Sequence, residues 1–128
     1  MIDTLLLNRY QLLEKIGEGG MGIVYKAKCT LLNRFVAVKI LKSELSDYED
    51  FIARFKKEAN SIASLSHTNI VNVYDAGSEN NINFIVMEYI NGKTLKEIIK
   101  ENARLSPLKT LDIALQIAKA LQYSHEIP

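Results

Sequence analysis

The 128-residue sequence contains no tryptophan, only two prolines and a single cysteine, Cys29. A lone cysteine cannot form an internal disulfide, which excludes a disulfide-stapled module and fits a reducing compartment. Charge of one sign is also lacking, since 16 basic and 15 acidic residues leave a formal net charge of +1. This balance gives no electrostatic reason to expect binding to nucleic acid or to an anionic membrane surface.

Long apolar runs are missing as well. No segment approaches the roughly 20 consecutive apolar residues that are needed to cross a bilayer. The Leu5-Leu6-Leu7 run near the start has no basic segment before it and no small-residue cleavage site after it, so it does not have the pattern of a signal peptide. An apolar content of 48% and a charged content of 24% are typical of a globular domain.

The apolar periodicity predicts an α+β fold with five strands, a long helix between the third and the fourth, and two helices at the end. Three successive strands with short turns indicate an antiparallel meander, not a βαβ unit. Asn91-Gly92 ends the predicted sheet and divides a segment 1–91 from a segment 92–128. The predicted strands are 10–17, 23–30, 35–41, 70–76 and 82–90, and the predicted helices are 46–65, 95–102 and 107–125.

Helix starts are predicted from local signals. Ser46 with Glu49, and Thr94 with Glu97, have the S/T-x-x-E spacing of a capping box. Pro107 follows a serine, and this pair is a start signal because serine is a good N-cap and proline suits the first helical position.

The run Gly17-Glu18-Gly19-Gly20-Met21-Gly22-Ile23-Val24 has the form G-x-G-x-x-G-x-V. Glycines allow backbone N–H groups to approach phosphate oxygens closely, which a Cβ would obstruct. Dinucleotide-binding folds share this spacing, but there the glycines lead into a helix. Here they lead into an alternating strand, so the loop is predicted to be the tip of a β-hairpin. A glycine-rich hairpin without a ligand is the alternative.

The strand Val36-Ala37-Val38-Lys39 carries a lysine among apolar residues. Residues two apart in a strand share a face, so Ala37 and Lys39 point one way, while Val36 and Val38 point the other way into packing. A small residue beside a lysine suits a flat ring over Ala37 and a phosphate near Lys39. The alternative is an edge-strand lysine in solvent.

Glu58 lies in the middle of an apolar stripe on the long helix. The stripe consists of Phe51, Phe55, Glu58, Ile62 and Leu65, at steps of four, three, four and three. A carboxylate on a core-facing stripe must be paired or protonated, and leaving it buried without its partner costs about 3–5 kcal/mol. Lys39 is the expected partner. The alternative is that Glu58 lies at the edge of the stripe and reaches solvent.

Loop, strand lysine and helix glutamate, in this order, resemble the N-terminal lobe of eukaryotic-like protein kinases. The motifs are similar to those of bacterial serine/threonine kinases, and the start of the chain is similar to kinases that carry extracellular PASTA repeats. The resemblance implies a kinase N-lobe with a five-stranded antiparallel sheet and one long helix, followed by two helices of an incomplete C-lobe. The matching motifs are 8–17, 17–22, 36–39, 67–71 and 85–89.

The same resemblance implies an ATP site. The glycine loop covers the phosphates, and Lys39 contacts the α- and β-phosphates while it pairs with Glu58 as the catalytic ion pair. Met87 resembles a gatekeeper at the back of the adenine slot, and the backbone of 88–90 resembles the hinge. The residues assigned to nucleotide binding are Ile16, Gly17, Glu18, Gly19, Gly20, Met21, Gly22, Val24, Ala37, Lys39, Val71, Met87, Glu88, Tyr89 and Ile90. Core packing is the alternative role of the apolar ones.

The 128 residues contain no H-R-D, D-F-G or A-P-E motif. In kinases these supply the catalytic Asp, the Mg²⁺ ligands and the activation loop, so the resemblance places the Mg²⁺ ligands outside this chain and no metal ligand is predicted within it. These residues alone are therefore expected to be inactive, as a fragment of a kinase that transfers the ATP γ-phosphoryl group to Ser or Thr. A complete, non-catalytic module that binds nucleotide or another kinase is the alternative.

The expected partners are ATP and protein substrates, the latter through the missing C-lobe. The last helix is broadly apolar, so we expect it either to mediate self-association or to fold back onto the rest of the chain. Self-association through the N-lobe is a second route. A cytoplasmic location is expected, with membrane anchoring left open for full-length relatives.

Overall fold

The computed structural model describes residues 2–126. Met1, Ile127 and Pro128, which belong to the predicted segments 1–91 and 92–128, lie outside the described residues. Within this range no helix is long and apolar enough to traverse a bilayer. The strands are β1 (Leu5–Leu6), β2 (Tyr10–Glu18), β3 (Gly22–Cys29), β4 (Arg34–Leu41), β5 (Val73–Glu79) and β6 (Ile82–Glu88), and the helices are α1 (Glu49–Ala63), α2 (Leu95–Asn102) and α3 (Pro107–Glu126).

The strands form one antiparallel sheet in the order β1-β2-β3-β4-β6-β5. The prediction of five strands was wrong by one, because β1 adds a sixth at the edge. Its two residues pair with β2 as Leu5 opposite Gln11 and Leu6 opposite Tyr10. Two residues are too short to show an alternating pattern, and Leu6 is buried only because the rest of the sheet packs against it.

The chain divides into two compact units. The first unit comprises 1–64 and 72–89 and contains the whole sheet with α1, whereas the second comprises 65–71 and 90–128 and contains α2 and α3.

The sheet of the first unit has a core on each face, because side chains alternate along a strand. The larger core is built by the alternating residues of the meander, Leu6, Tyr10, Leu12, Tyr25, Ala27, Cys29, Val36, Val38, Ile40, Phe84 and Val86. The smaller core is formed where α1 covers the sheet, by Leu41, Phe55, Ala59 and Ile85, with Met21 and Met87 among the residues packed against it. The side of β4 that carries Ala37 and Lys39 is therefore the α1 side.

The start of the long helix differs from the prediction. Helix α1 begins at Glu49, and its N-cap, Tyr48, makes no side-chain capping bond. Ser46 instead follows a short 3₁₀ turn at Ser43–Leu45, where its hydroxyl donates a hydrogen bond to the Ser43 carbonyl over 2.6 Å. A serine can bond backward to the preceding turn as well as forward to a helix, and the spacing does not separate the two.

The other two helix starts are confirmed. Thr94 and Glu97 form a reciprocal capping box at α2. The Lys109 N–H donates to the Ser106 hydroxyl at the start of α3, directly before Pro107.

The fourth strand lies three residues further along the chain than predicted. The β5–β6 turn consists of Asn80 and Asn81 alone, with φ values of 50° and 65°. Two consecutive residues with positive φ match the twist of a two-residue hairpin, and asparagine tolerates this conformation. Gly77 and Ser78, which lie between the predicted strands 70–76 and 82–90, therefore belong to β5.

Candidate functional site

The glycine-rich segment is the tip of the β2–β3 hairpin, as predicted. Glu18 pairs with Ile23 across the two strands, and the Gly19 N–H donates to the Gly22 carbonyl over 2.9 Å to close the turn. A strand follows the glycines instead of a helix, so the loop has no helix N-terminus at which a dinucleotide pyrophosphate could bind.

The glycines of the loop are present for different reasons. A Cβ built on Gly22 would lie 3.1 Å from the backbone oxygen of Ile40 and 3.1 Å from Cε of Lys39. Gly22 therefore lies where a side chain would be tightly packed between the Ile40 backbone and the Lys39 side chain. A Cβ on Gly19 or Gly20 would meet no heavy atom within 4 Å, so their open backbone is free to be approached from outside.

Strand register places four of the predicted residues on one face of the sheet. Val24 is opposite Lys39, and Ala37 is opposite Met87. Directly opposite residues of an antiparallel pair point to the same face, and Ala37 and Lys39 share it because they are two apart. Ile16 lies on β2 at a register shift beside Gly17, and its side chain is exposed.

Lys39 and Glu58 form an ion pair, with 2.8 Å between Nζ and Oε1. The pairing inferred from the apolar stripe is thus present. The side chains are 22% and 36% exposed, so Glu58 also reaches solvent, as the alternative had it. A pair at this depth stabilises the fold by about 0–1 kcal/mol, well below the cost expected for a fully buried carboxylate. The main effect of the Lys39–Glu58 ion pair is therefore to orient the Lys39 ammonium group.

Glu18 is held by two lysines that the sequence analysis did not assign. Its carboxylate pairs with Lys15, and with Lys42 at 3.2 Å. The hydrogen bond from Lys15, followed by that from Lys42, holds the pKa of Glu18 below its usual range. The Lys42 N–H also donates to the Met21 carbonyl over 2.8 Å. The loop is thus fastened to the end of β4, and the acidic charge of Glu18 is compensated beside the open glycines.

The segment after Met87 supplies backbone groups at the end of β6. The Glu88 N–H donates to the Asn72 carbonyl over 2.8 Å, while the Glu88 carboxylate accepts from the Asn72 N–H. The Tyr89 ring lies 5.1 Å from the Lys26 ammonium. Val71 and Ile90 belong to the second unit, where both are exposed.

Residues 2–126 contain no group of three or more His, Cys, Asp or Glu side chains that could hold a metal ion. The donors do not fit Mg²⁺, which needs carboxylates brought to one point. An oriented lysine and open glycine backbone are donors of the kind that bind phosphate groups in proteins.

A family model described as the protein kinase domain matches residues 10–127. A probable serine/threonine-protein kinase of Clostridium perfringens is 56% identical over 126 residues, which cover 98% of this chain and 18% of that protein. The serine/threonine-protein kinase PrkC of Bacillus subtilis is 46% identical over 126 residues, covering 98% of this chain and 19% of that protein. The chain therefore spans about a fifth of the length of these curated relatives.

Solved structures agree with the sequence matches. The crystal structure of the PknI kinase domain of Mycobacterium tuberculosis superposes with a TM-score of 0.81 at 26% identity, over 98% of this chain and 52% of that one.

Proposed function

Since this chain belongs to the protein kinase family, we propose that it is the ATP-binding part of a serine/threonine kinase that phosphorylates proteins. The single observation that supports this most strongly is the Lys39–Glu58 ion pair at 2.8 Å, beneath the hairpin of glycines. In protein kinases a strand lysine and a helix glutamate must be paired for phosphoryl transfer.

The proposed roles divide the site into a part that binds the phosphates and a part that binds the adenine ring. Lys39 binds the α- and β-phosphates, Glu58 orients it, and the backbone from Gly19 to Gly22 covers the phosphates. The adenine ring would lie against the apolar side chains of the same sheet face, and backbone groups after Met87 would bind its polar edge. The residues proposed for the ring and hinge are Ile16, Val24, Ala37, Val71, Met87, Glu88, Tyr89 and Ile90.

Mg²⁺ bound to ATP would neutralise phosphate charge during transfer, and we place its ligands and the catalytic Asp outside these 128 residues. Positioning and charge stabilisation supply nearly all of the catalysis of phosphoryl transfer. The chain by itself is therefore expected to bind nucleotide without transferring phosphate. A non-catalytic module that binds nucleotide or another kinase is the second candidate.

The partners and the location are further parts of the proposal. Protein substrates would bind outside this chain, and the family membership with a single free cysteine supports a cytoplasmic location. Self-association through α3 or through the first unit is proposed because both expose large apolar side chains.

The experiment is a binding titration of a non-hydrolysable ATP analogue, with and without Mg²⁺. Lys39→Met removes the phosphate-binding charge and is expected to weaken binding by about tenfold or more, as for the loss of a charge-assisted hydrogen bond. Lys57→Met is the matched control, because Lys57 is exposed on α1 and is assigned no contact. Binding that is equal in both variants would contradict the proposal.

The unmodified chain and the same variants, incubated with ATP, Mg²⁺ and a protein substrate, test the expectation that the chain does not transfer phosphate. We expect no time-dependent phosphorylation by the 128-residue chain. Phosphorylation that disappears with Lys39→Met would show that the expectation of inactivity is wrong.

A further inference from the structure

A cluster of one cation and two aromatic rings lies next to Ala37, on the face of the sheet that carries Lys39. Lys26 is directly opposite Ala37 in the β3–β4 register. Phe35 shares the face of Ala37 because it is two residues away on the same strand, and Tyr89 directly follows the last residue of β6. Lys26, Phe35 and Tyr89 together form the Lys26 cluster, which belongs entirely to the first unit.

The Lys26 ammonium contacts both rings of the cluster. Its Nζ lies 4.4 Å from the ring centroid of Phe35 and 5.1 Å from the ring centroid of Tyr89. The two ring centroids are 6.4 Å apart, and the ring planes are tilted by 58°. A cation over a ring face at these distances is attracted by the ring, and two rings at this spacing attract each other. The Lys26 cluster is therefore held by three mutual contacts.

An acidic side chain is available to Lys26 but is not its partner. Glu14 is directly opposite Lys26 in the β2–β3 register, and cross-strand neighbours of opposite charge normally attract each other. Among residues 2–126, however, Lys26 forms no ion pair with Glu14 or with any other carboxylate. The ammonium is turned away from β2, toward the rings of Phe35 and Tyr89.

Tyr89 belongs to the segment whose backbone is proposed to bind the polar edge of adenine. The residue before it is fastened by Asn72, since the Glu88 N–H donates to the Asn72 carbonyl over 2.8 Å. The ring of Tyr89 is fastened to the sheet by the other two members of the Lys26 cluster. A binding segment that is held in one conformation before the ligand arrives costs less to order on binding.

We propose that Lys26 is a positioning residue of the nucleotide site, which holds the Tyr89 backbone in place for the adenine edge through the Tyr89 ring. This inference rests on the proposed function, because it takes the segment at the end of β6 to be the one that binds adenine. Lys26 then acts on the binding of the base, whereas Lys39 acts on the binding of the phosphates. The two lysines should therefore respond differently to a ligand that has no base.

The test compares two ligands of the full 128-residue chain, both without Mg²⁺. One is a non-hydrolysable ATP analogue, and the other is inorganic tripolyphosphate, which has three phosphate groups and no base or ribose. We expect Lys26→Met to weaken binding of the analogue by about two- to fivefold, as for the loss of cation–π contacts at a partly exposed site. Tripolyphosphate binding should not change. Lys26→Arg keeps a cation over the rings and should retain most of the affinity for the analogue.

Lys28→Met is the matched control. Lys28 is two residues from Lys26 on β3 and shares its face, so both substitutions remove one positive charge from the same part of the sheet. Among residues 2–126 the Lys28 ammonium stacks on no aromatic ring, so binding of the analogue should not change. Phe35→Leu removes one ring of the cluster and should act like Lys26→Met. Phe35 is 49% exposed, so its loss should leave the chain folded, and thermal unfolding of each variant checks this.

The outcomes separate this inference from the proposed function. If Lys39→Met weakens both ligands and Lys26→Met weakens neither, the nucleotide site stands and the role of Lys26 is wrong. If Lys26→Met weakens both ligands, or weakens the analogue no more than Lys28→Met does, Lys26 is only a source of positive charge, which also overturns the inference. If Glu14→Gln weakens the analogue as much as Lys26→Met, Lys26 acts through an ion pair with Glu14 and not through the rings. If the unmodified chain does not bind the analogue, the proposed function fails and the inference fails with it.

Discussion

At the scale of single residues, geometry separates side chains that the sequence treats alike. Lys39 is one of several lysines, but it alone pairs with a glutamate of α1 in the described residues. The partly exposed pair contributes little to stability, so its worth is in fixing where the ammonium group lies. Tyr10 is likewise distinguished from the other tyrosines, because burial and a hydrogen bond to Asp75 stabilise its neutral form.

The raised pKa of the Tyr10 phenol can be tested by titration. The unfolded chain loses this proton near pH 10, whereas the folded chain keeps it until about pH 12. Between these values the unfolded state binds fewer protons, so the free energy of unfolding should fall as pH rises. Tyrosinate absorbance should show one of the six tyrosines titrating near pH 12, while circular dichroism confirms that the chain stays folded.

Tyr10→Phe should remove that late step, while Tyr48→Phe, at an exposed position, should leave it in place. If all six tyrosines titrate together in the folded chain, the buried hydrogen bond is absent.

At the scale of elements, the β2–β3 hairpin joins the glycine loop to the lysine strand. Gly22 is opposite Leu41, and a Cβ at Gly22 would lie 3.1 Å from both the Ile40 carbonyl oxygen and Cε of Lys39. The loop is further fastened by the Glu18–Lys42 ion pair. The hairpin tip, Lys39 and the Glu18–Lys42 ion pair are therefore held together at the end of β4.

Two glycine substitutions test this arrangement. Gly22→Ala places a methyl group 3.1 Å from the Ile40 carbonyl oxygen, which cannot move without disturbing β4, so we expect a loss of about 1–3 kcal/mol in the free energy of unfolding. Gly20→Ala meets no atom within 4 Å and should change stability by about 0.5 kcal/mol or less. Urea denaturation measures both, and equal effects would contradict the close approach.

At the scale of the whole molecule, the second unit exposes a broad apolar surface. Leu108 is 81% exposed and Leu111 is 66% exposed on α3. Apolar surface of this extent favours association in water. The first unit also exposes Leu31 and Leu32 at the β3–β4 turn. Self-association could therefore be mediated by α3 or by this turn.

Sedimentation of the 128-residue chain decides between them. We expect self-association that is reduced by Leu111→Lys together with Leu115→Lys, because charges on α3 would have to be desolvated at the contact. Leu31→Lys is the matched substitution in the first unit and should leave the association unchanged. A reduction by Leu31→Lys alone would assign the contact to the first unit, and a monomeric wild-type chain would contradict self-association through either surface.

The sequence by itself determined the features that depend on local pattern. Alternation and the glycine spacing predicted the hairpin, the helical stripe predicted that Glu58 needs a cation, and capping signals predicted the starts of α2 and α3. Such features are predictable because their causes lie within a few residues of one another. The same local signal was wrong at Ser46, whose hydroxyl bonds backward to Ser43.

Only the tertiary structure decided what depends on residues far apart in the chain. It added β1 to the sheet, brought Lys42 to Glu18, and placed Gly22 in close approach to Ile40 and Lys39. It also brought Lys26 to the ring of Tyr89. None of these contacts leaves a periodic trace in the sequence, because each arises from strand register and packing between distant segments.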